Sequence, residues 1–204
     1  MESTQRKSEN IVEKGEKQLV IGNVWRYTQA RGENMQKDFS HFDEEGNAVM
    51  VDVTGKQETY RSAVASGFIQ VNQKIIDAIQ QRTMAKGDVL GVARVAGIMG
   101  VKETSRLIPM CHTLLISGCT VDFRVDEKQR RIYAWCTVKT RGQTGVEMEA
   151  LTGVSTALLT IYDMCKAVDR NMVISEIRLE EKMGGRSGVF RREPDPGKER
   201  EKDG

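Results

Sequence analysis

The spacing of apolar and polar residues divides the chain between residues 39 and 190 into strand-like and helix-like segments. Alternation with period two, rich in β-branched and aromatic residues, is typical of strands, and apolar positions three and four apart are typical of helices. We predict strands at residues 48–55, 59–71, 114–126, 131–140 and 173–182. We predict helices at residues 72–83, 86–107 and 145–168. This order indicates an α+β fold, with helices packed on one face of a mainly antiparallel sheet.

Two of the predicted helices begin at residues that favour a helix N-terminus. Asn72 precedes the first and Asp88 the second, and each side chain can accept a hydrogen bond from a free backbone N–H. The helix after Asp88 also contains Gly91, Gly97 and Gly100. Because an interior glycine costs about 0.5–1 kcal/mol relative to alanine, their presence predicts close packing against another backbone.

The two ends of the chain are more polar than the segment between them. Residues 1–38 are rich in Lys, Glu, Gln, Asn and Arg, and we interpret them as a poorly ordered N-terminal extension. Residues 191–204 are almost wholly charged and hold two of the three prolines, which is typical of a solvated tail. We therefore place a single folded domain at residues 39–190.

Composition narrows the class of protein. Apolar residues make up 39% and charged residues 29%, and 31 basic residues against 29 acidic ones leave a formal charge of +2. This near balance predicts no general attraction to nucleic acid. No apolar run approaches the length of a membrane span, and no signal sequence is visible, so we expect a cytoplasmic protein with no membrane association. The four cysteines form no CxxC pair and lack zinc-ligand spacing with the two histidines, so we expect no metal site.

The predicted helix at 145–168 carries charges at both ends. Glu147 and Glu149 lie near its N-terminus, where the helix dipole favours carboxylates without any functional role. Asp163 and Lys166 lie near its C-terminus. They could form a surface i,i+3 ion pair, or they could be a buried acid and lysine with the shifted proton affinities used in acid–base catalysis. The helix is predicted to pack through Met148, Leu151, Leu158, Leu159, Tyr162 and Cys165.

The length of this helix limits how its two charged ends can cooperate. Glu149 and Asp163 are 14 residues apart, which corresponds to about 21 Å along a helix. One chain could hardly bring both side chains to one small ligand. If both act in one site, a second copy of the chain must supply one of them, and the middle of the helix would then form an interface.

A short loop after Pro109 holds another pair of candidate residues, Cys111 and His112. The loop joins a predicted helix to a predicted strand, a position where binding residues often gather, although a single histidine can equally be structural. Adjacent residues in an extended segment point apart, so the sequence does not favour a Cys–His catalytic pair.

Three cations lie beside segments that could bind an anion. Lys86 precedes the helix capped at Asp88, an arrangement that can hold an anion but is also a common helix start. Lys182 and Arg186 lie beside and within a glycine loop at 184–188, which does not match the P-loop pattern. The residues alone therefore indicate a phosphorylated small ligand and acid–base groups, without naming a reaction.

Seven short motifs together resemble one protein family. They are MVDVTGK (50–56), KGDV (86–89), ARVAGI (93–98), LIPMCH (107–112), TGVEMEALT (144–152), IYDMCKAV (161–168) and GGRSG (184–188). The resemblance, from about Phe39 to Phe190, is to the cyclic pyranopterin monophosphate synthases, the family of molybdenum cofactor biosynthesis protein C. It implies a ferredoxin-like α+β subunit without a cofactor, assembled as a homohexamer of three dimers with sites at the dimer interfaces.

The resemblance also implies a reaction and the residues that perform it. The reaction converts (8S)-3′,8-cyclo-7,8-dihydroguanosine 5′-triphosphate to cyclic pyranopterin monophosphate and diphosphate. The implied catalytic residues are Asp163, Lys166 and Lys86. The implied substrate-binding residues are Met110, Cys111, His112, Met148 and Glu149, with Glu147 in the same stretch. Our own mechanistic hypothesis adds Lys182 and Arg186 as the residues that hold the triphosphate.

Two positions depart from the family pattern. Thr113 replaces a common proline after Cys-His, which predicts a less rigid loop at His112. Arg186 replaces a common lysine. It can still bind phosphate but would be a poor proton donor.

Two alternatives compete with the enzyme. One is an RNA- or nucleotide-binding ferredoxin-like module without catalysis, which would require aromatic residues exposed on the sheet. Tyr133 and Trp135 alternate on one predicted strand, but no RNP-like motif surrounds them. The other is an inactive scaffold, against which the presence of Lys86, Asp163 and Lys166 argues.

Overall fold

The sheet and helices follow the predicted order closely. The computed structural model describes residues 46–193 except 82, 85 and 86, and the chain divides into two units, residues 1–51 and 52–204. The described elements are β1 (Thr59–Gln70), α1 (Gln73–Gln80), α2 (Val89–Leu107), β2 (Ile116–Asp126), β3 (Arg131–Gly142), α3 (Glu147–Cys165), β4 (Val173–Met183) and β5 (Phe190–Arg191). All belong to the second unit. The predicted extension at 1–38 and the tail beyond residue 193 lie outside the described residues.

These strands form one antiparallel sheet in the order β2-β3-β1-β4-β5. Alternate residues of the central strands are buried against the helices, as with Ala63 and Ala65 of β1 and Ile132 and Ala134 of β3. The predicted α+β, ferredoxin-like fold with helices on one face is confirmed. None of the described helices is both long and apolar enough to cross a membrane.

Small residues let α2 and α3 approach each other closely. A Cβ added to Gly97 of α2 would lie 3.0 Å from the backbone oxygen of Gly153 in α3. A Cβ on Gly153 would lie 2.6 Å from the sulfur of Cys136 in β3. The predicted close backbone approach is confirmed, and it places α3 directly on the sheet.

Capping at the starts of α1 and α2 also agrees with the sequence. The Asn72 side chain accepts from the backbone N–H of Ile75 at 3.1 Å, and the Asp88 side chain accepts from that of Gly91 at 2.9 Å. Both confirm the predicted N-caps.

The prediction of a strand at residues 48–55 is wrong. Its residues form nothing longer than an isolated bridge at Ala48, followed by a turn at Thr54 and Gly55. The Asp52 carboxylate accepts from both the backbone N–H and the hydroxyl of Thr54, at 2.8 and 2.6 Å. Such local side-chain bonding offers the backbone an alternative to strand pairing.

The packing face of α3 differs from the prediction at two of its six positions. Leu159 is 60% exposed and Met148 is also exposed, whereas Leu158 and Cys165 are fully buried. Leu151 and Tyr162 pack partly buried against the core. The contacts with the sheet are made instead by small and branched residues between these positions, namely Ala150, Val154, Ala157 and Ile161.

Candidate functional site

A cavity of about 730 Å³ opens at one end of the sheet. The strand register explains its position, because Thr59 pairs with Gly142 and Ser62 pairs with Met183. The start of β1 therefore meets the ends of β3 and β4, and the loops that leave those ends form the walls.

The lining of this cavity is strongly basic. Among the described residues, its charged side chains are Lys56, Arg61, Lys182, Arg186 and the single carboxylate Glu147. Lysine and arginine are the side chains that proteins use most to bind phosphate. The cavity therefore suits an anionic ligand with several charges.

Arg61 links two of the cavity walls. Its Nε donates to the backbone oxygen of Gly142 at 3.4 Å, and one of its terminal nitrogens donates to that of Gln143 at 3.2 Å. On its other side, a Cβ on Gly185 would overlap the guanidinium. Because Gly185 also has a positive φ of 75°, only glycine fits this position without strain. Arg61 thus holds the loop before α3 next to the glycine loop after β4.

Lys56 and Arg61 were not among the sequence-predicted site residues. Lys56 ends the motif MVDVTGK, and Arg61 lies two residues into β1. Arg61 reaches the cavity because β1 pairs with the distant strands β3 and β4, and Lys56 lies just before β1; a single sequence does not reveal this pairing. The signal that could have found them is a cation at the start of a strand whose neighbours end in glycine loops.

The first turn of α3 contributes two carboxylates in different environments. Glu147 lines the cavity, whereas Glu149 is buried at 5% exposure. Burial raises the pKa of Glu149 to about 6, and the nearby charge of Glu147 contributes in the same direction. A carboxyl group with this pKa can exchange protons near neutral pH.

The loop after α2 lies beside these residues. Burial raises the pKa of the Cys111 thiol, and the charge of Glu149 acts in the same direction. Hydrogen bonds from Thr54 lower the pKa of Asp52, and electrostatic interactions with His112 and Lys56 act in the same direction. Cys111 and His112 are half-buried, as is Met110. The loop therefore interacts electrostatically with Glu149 and with Asp52, which precedes the cavity-lining residues Gly55 and Lys56.

The predicted catalytic pair lies at the opposite end of α3. Lys166 Nζ is 2.6 Å from Asp163 Oδ1, and the two side chains are 52% and 61% exposed. In the single chain this is the surface ion pair, and the alternative of a buried acid and lysine is wrong for this chain alone. Among the described residues, the pair stays away from the cavity, because Glu147 lies in the first turn of α3 and Asp163 lies in its last turn.

The predicted site residues thus fall into two groups at opposite ends of α3, with Asp163 and Lys166 at its C-terminal end. Lys182, Arg186 and Glu147 share the cavity, and the Met110–His112 loop lies next to Glu149. Lys86, the third predicted catalytic residue, lies outside the described residues. Across the described part of the chain, no group of three or more His, Cys, Asp or Glu residues could hold a metal ion.

An antiparallel α+β subunit with four cations around an open cavity defines a ferredoxin-like protein whose cavity suits a phosphorylated small molecule. A model of the MoaC family matches residues 50–185. The chain therefore belongs to the MoaC family.

Curated relatives agree with this assignment. The chain is 59% identical over 156 residues to the cyclic pyranopterin monophosphate synthase of Clostridium botulinum (strain Alaska E43 / Type E3), which covers 76% of this chain and 98% of that protein. It is 56% identical over 156 residues to the synthase of Clostridium perfringens (strain SM101 / Type A), and the match covers 76% of this chain and 99% of that protein. It is 54% identical over 158 residues to the synthase of Clostridium acetobutylicum, and the match covers 78% of this chain and 98% of that protein.

Proposed function

We propose that this protein catalyses the cyclic pyranopterin monophosphate synthase reaction of molybdenum cofactor biosynthesis. It is then a lyase that converts (8S)-3′,8-cyclo-7,8-dihydroguanosine 5′-triphosphate to cyclic pyranopterin monophosphate and diphosphate, in the cytoplasm and without a cofactor or metal. Membership of the MoaC family supports the reaction. The basic cavity is the structural observation that carries it, because the substrate enters with a triphosphate and diphosphate leaves.

The triphosphate binds to Lys56, Arg61, Lys182 and Arg186 in this proposal. The four cations face one carboxylate, Glu147, so the cavity carries excess positive charge for a polyanion. Arg186 can bind two phosphate oxygens at once through its planar guanidinium, whereas a lysine acts as a point charge. Glu147 marks the end of the cavity nearest α3.

The guanine-derived rings of the substrate lie beyond Glu147 in this proposal. Met110, Cys111, His112 and Met148 surround them, and Glu149 lies at their edge. Support comes from the charge effect of Glu149 on Cys111, and from those of His112 and Lys56 on the same carboxylate, Asp52. With a pKa of about 6, Glu149 can accept or return a proton as the rings rearrange.

The acid–base residues Asp163 and Lys166 reach this site from a second copy of the chain. Support comes from the length of α3, about 21 Å between Glu149 and Asp163, which prevents both from acting within one chain. Lys166 and Lys86 transfer protons to and from the substrate rings, and Asp163 is the charge partner of these lysines. A homohexamer built as a trimer of dimers would contain six such sites.

Exposed apolar side chains support this assembly. Leu159 is exposed on α3, and Val92, Val95 and Met99 are exposed at a helical spacing on α2. Grouped apolar side chains on a helix surface commonly mark a contact with another protein chain. We therefore place the dimer contact on the outer faces of these two helices.

The competing RNA-binding interpretation is not favoured by the open face of the sheet. Phe68, Tyr133 and Trp135 do lie there. The ring centroids of Phe68 and Tyr133 are 5.5 Å apart, and those of Tyr133 and Trp135 are 5.9 Å apart. However, Arg131 covers Phe68 at 4.3 Å and Arg124 covers Tyr133 at 5.0 Å. Because the guanidinium groups occupy faces on which bases would stack, we propose no nucleic-acid partner.

The direct test is incubation of the protein with the cyclised GTP intermediate. Diphosphate release and pterin fluorescence after oxidation should rise together. Asp163→Asn removes the charge partner of the lysines while keeping the shape, so turnover should be lost and the oligomer should persist. Lys128→Gln, an exposed change in the β2–β3 turn, is the control. Near-normal turnover by the Asp163 variant would refute its role.

A further inference from the structure

Strand β5, Phe190–Arg191, has no role in the site described so far. It lies beyond residue 185, where the match to the MoaC family ends. It pairs with the end of β4, with Arg191 opposite Glu181 and Phe190 opposite Lys182. We propose that β5 closes a hairpin that holds Lys182, Arg186 and Ser187 at the cavity, with Arg192 as its main positioning residue. This inference rests on the proposed role of Lys182 and Arg186 in binding the triphosphate.

The base of this hairpin is fixed by bonds to three consecutive residues of β4. The backbone N–H of Arg192 donates to the Glu180 oxygen at 2.8 Å, and its Nε donates to the Leu179 oxygen at 3.0 Å. Arg191 also forms an ion pair with Glu181 at 2.9 Å. Since the Arg191 side chain is largely exposed, that pair contributes little. The two bonds from Arg192 therefore extend the pairing of β5 with β4 by one residue and add a side-chain bond to it.

The loop that β5 closes has an unusually free backbone. Gly184, Gly185 and Gly188 all have positive φ, at 97°, 75° and 63°. Glycine populates many backbone conformations, so a loop with three of them keeps one shape only where its ends and tip are held. Arg61 holds the tip at Gly185, and β4 and β5 hold the two ends.

The same loop carries the cations of the cavity wall. Arg186 and Ser187 line the cavity, and Lys182 lies directly before the loop. Lys182 Nζ also donates to the Ser187 hydroxyl, so the strand end and the loop form one unit. Without β5, the described loop at 184–188 would be held only by the Arg61 contact and by bonds close to the loop itself, such as that from Lys182 to Ser187, and the ligand would have to order the loop as it binds.

A simpler role for β5 is to cover the edge of β4 against unwanted pairing. The two roles predict different kinetics. Loss of an edge cover would lower stability and activity together. Loss of a positioning element would weaken triphosphate binding, so KM for the cyclised GTP intermediate would rise while kcat changed little.

The test uses the full chain with Arg192→Pro, which removes both the N–H donor and the side-chain donor of Arg192. KM should rise about tenfold, and inhibition by inorganic diphosphate should weaken by a similar factor. Arg192→Ala keeps the backbone bond and should give a smaller rise in KM. Lys198→Pro is the matched control, since it also replaces a cation by proline in the charged tail, and it should leave both constants unchanged.

Two results would overturn the inference. One is an unchanged KM in both Arg192 variants, and the other is a fall in kcat and thermal stability without a change in KM. If Arg192→Pro does not fold, Arg192→Ala decides between these results. Lys182→Ala tests the underlying proposal separately. An unchanged KM in the Lys182 variant would contradict the proposed triphosphate-binding cluster. A raised KM in the Lys182 variant, together with unchanged KM in the Arg192 variants, would contradict only the role of β5.

Discussion

The buried carboxyl group of Glu149 gives a prediction in which stability and activity move in opposite directions. Burial raises its pKa from an ordinary value of 4.5 to about 6. The folded state therefore binds the proton more tightly than the unfolded state does. By linkage, the free energy of unfolding falls as pH rises from about 4.5 to about 6, and the loss persists above that range.

The size of this loss follows from the difference in pKa. A difference of about 1.5 corresponds to about 2 kcal/mol of stability above pH 6. Glu149→Gln keeps the shape and removes the buried charge. It also removes a carboxylate from the first turn of α3, which costs about 0.3–1 kcal/mol through the helix dipole. At pH 7.5 we expect a net gain of about 1–2 kcal/mol, and turnover reduced about a hundredfold or more.

The assay is chemical denaturation of both proteins at fixed concentration, at pH 4.5 and pH 7.5. The stabilisation should be present at pH 7.5 and should disappear at pH 4.5, where Glu149 is mostly protonated. Glu147→Gln is the control, because it removes a less buried carboxylate from the same helix turn and should only destabilise slightly. A gain of equal size at both pH values, or no gain at pH 7.5, would refute the argument from burial.

Two further predictions concern the packing and the loop that support the site. Gly153→Ala should destabilise the protein by about 1–3 kcal/mol in thermal unfolding, because the new Cβ would lie 2.6 Å from Cys136 Sγ and 2.8 Å from Val101. An unchanged unfolding midpoint would contradict the close helix–sheet contact. Thr140→Val should lower the free energy of unfolding by about 1 kcal/mol and raise KM. The reason is that the buried Thr140 hydroxyl donates to the Leu115 oxygen at 2.5 Å and so anchors the segment after His112. Thr120→Val, on an exposed position of β2, is the matched control, and equal effects at the two positions would remove that role.

Much of the fold could be predicted because its elements carry clear periodicity and end signals. The β2–β3 hairpin and the long helix α3 match their predicted segments to within a few residues. The failure at 48–55 arose where the local bonds of Asp52 and Thr54 compete with strand pairing. Two residues at 190–191 were too few to show any pattern, so β5 was not predicted.

The candidate site could be predicted only in part. Family motifs pointed to Glu149 and Arg186, but the burial of Glu149 depends on how α3 packs on the sheet. Arg61 enters the cavity through strand pairing between distant segments, and Lys56 lies in the turn region just before the same strand. Such non-local contacts leave no periodic trace in a single sequence.

The central claim is that opposite ends of α3, from two copies of the chain, form one site. The most direct measurement is the activity of oligomers co-expressed from Glu149→Gln and Asp163→Asn chains, each inactive alone. With random pairing, half of the dimers are mixed and one of their two sites is intact, so about a quarter of normal activity should return. If mixed oligomers form and stay inactive, both residues act within one chain, and the shared site is contradicted.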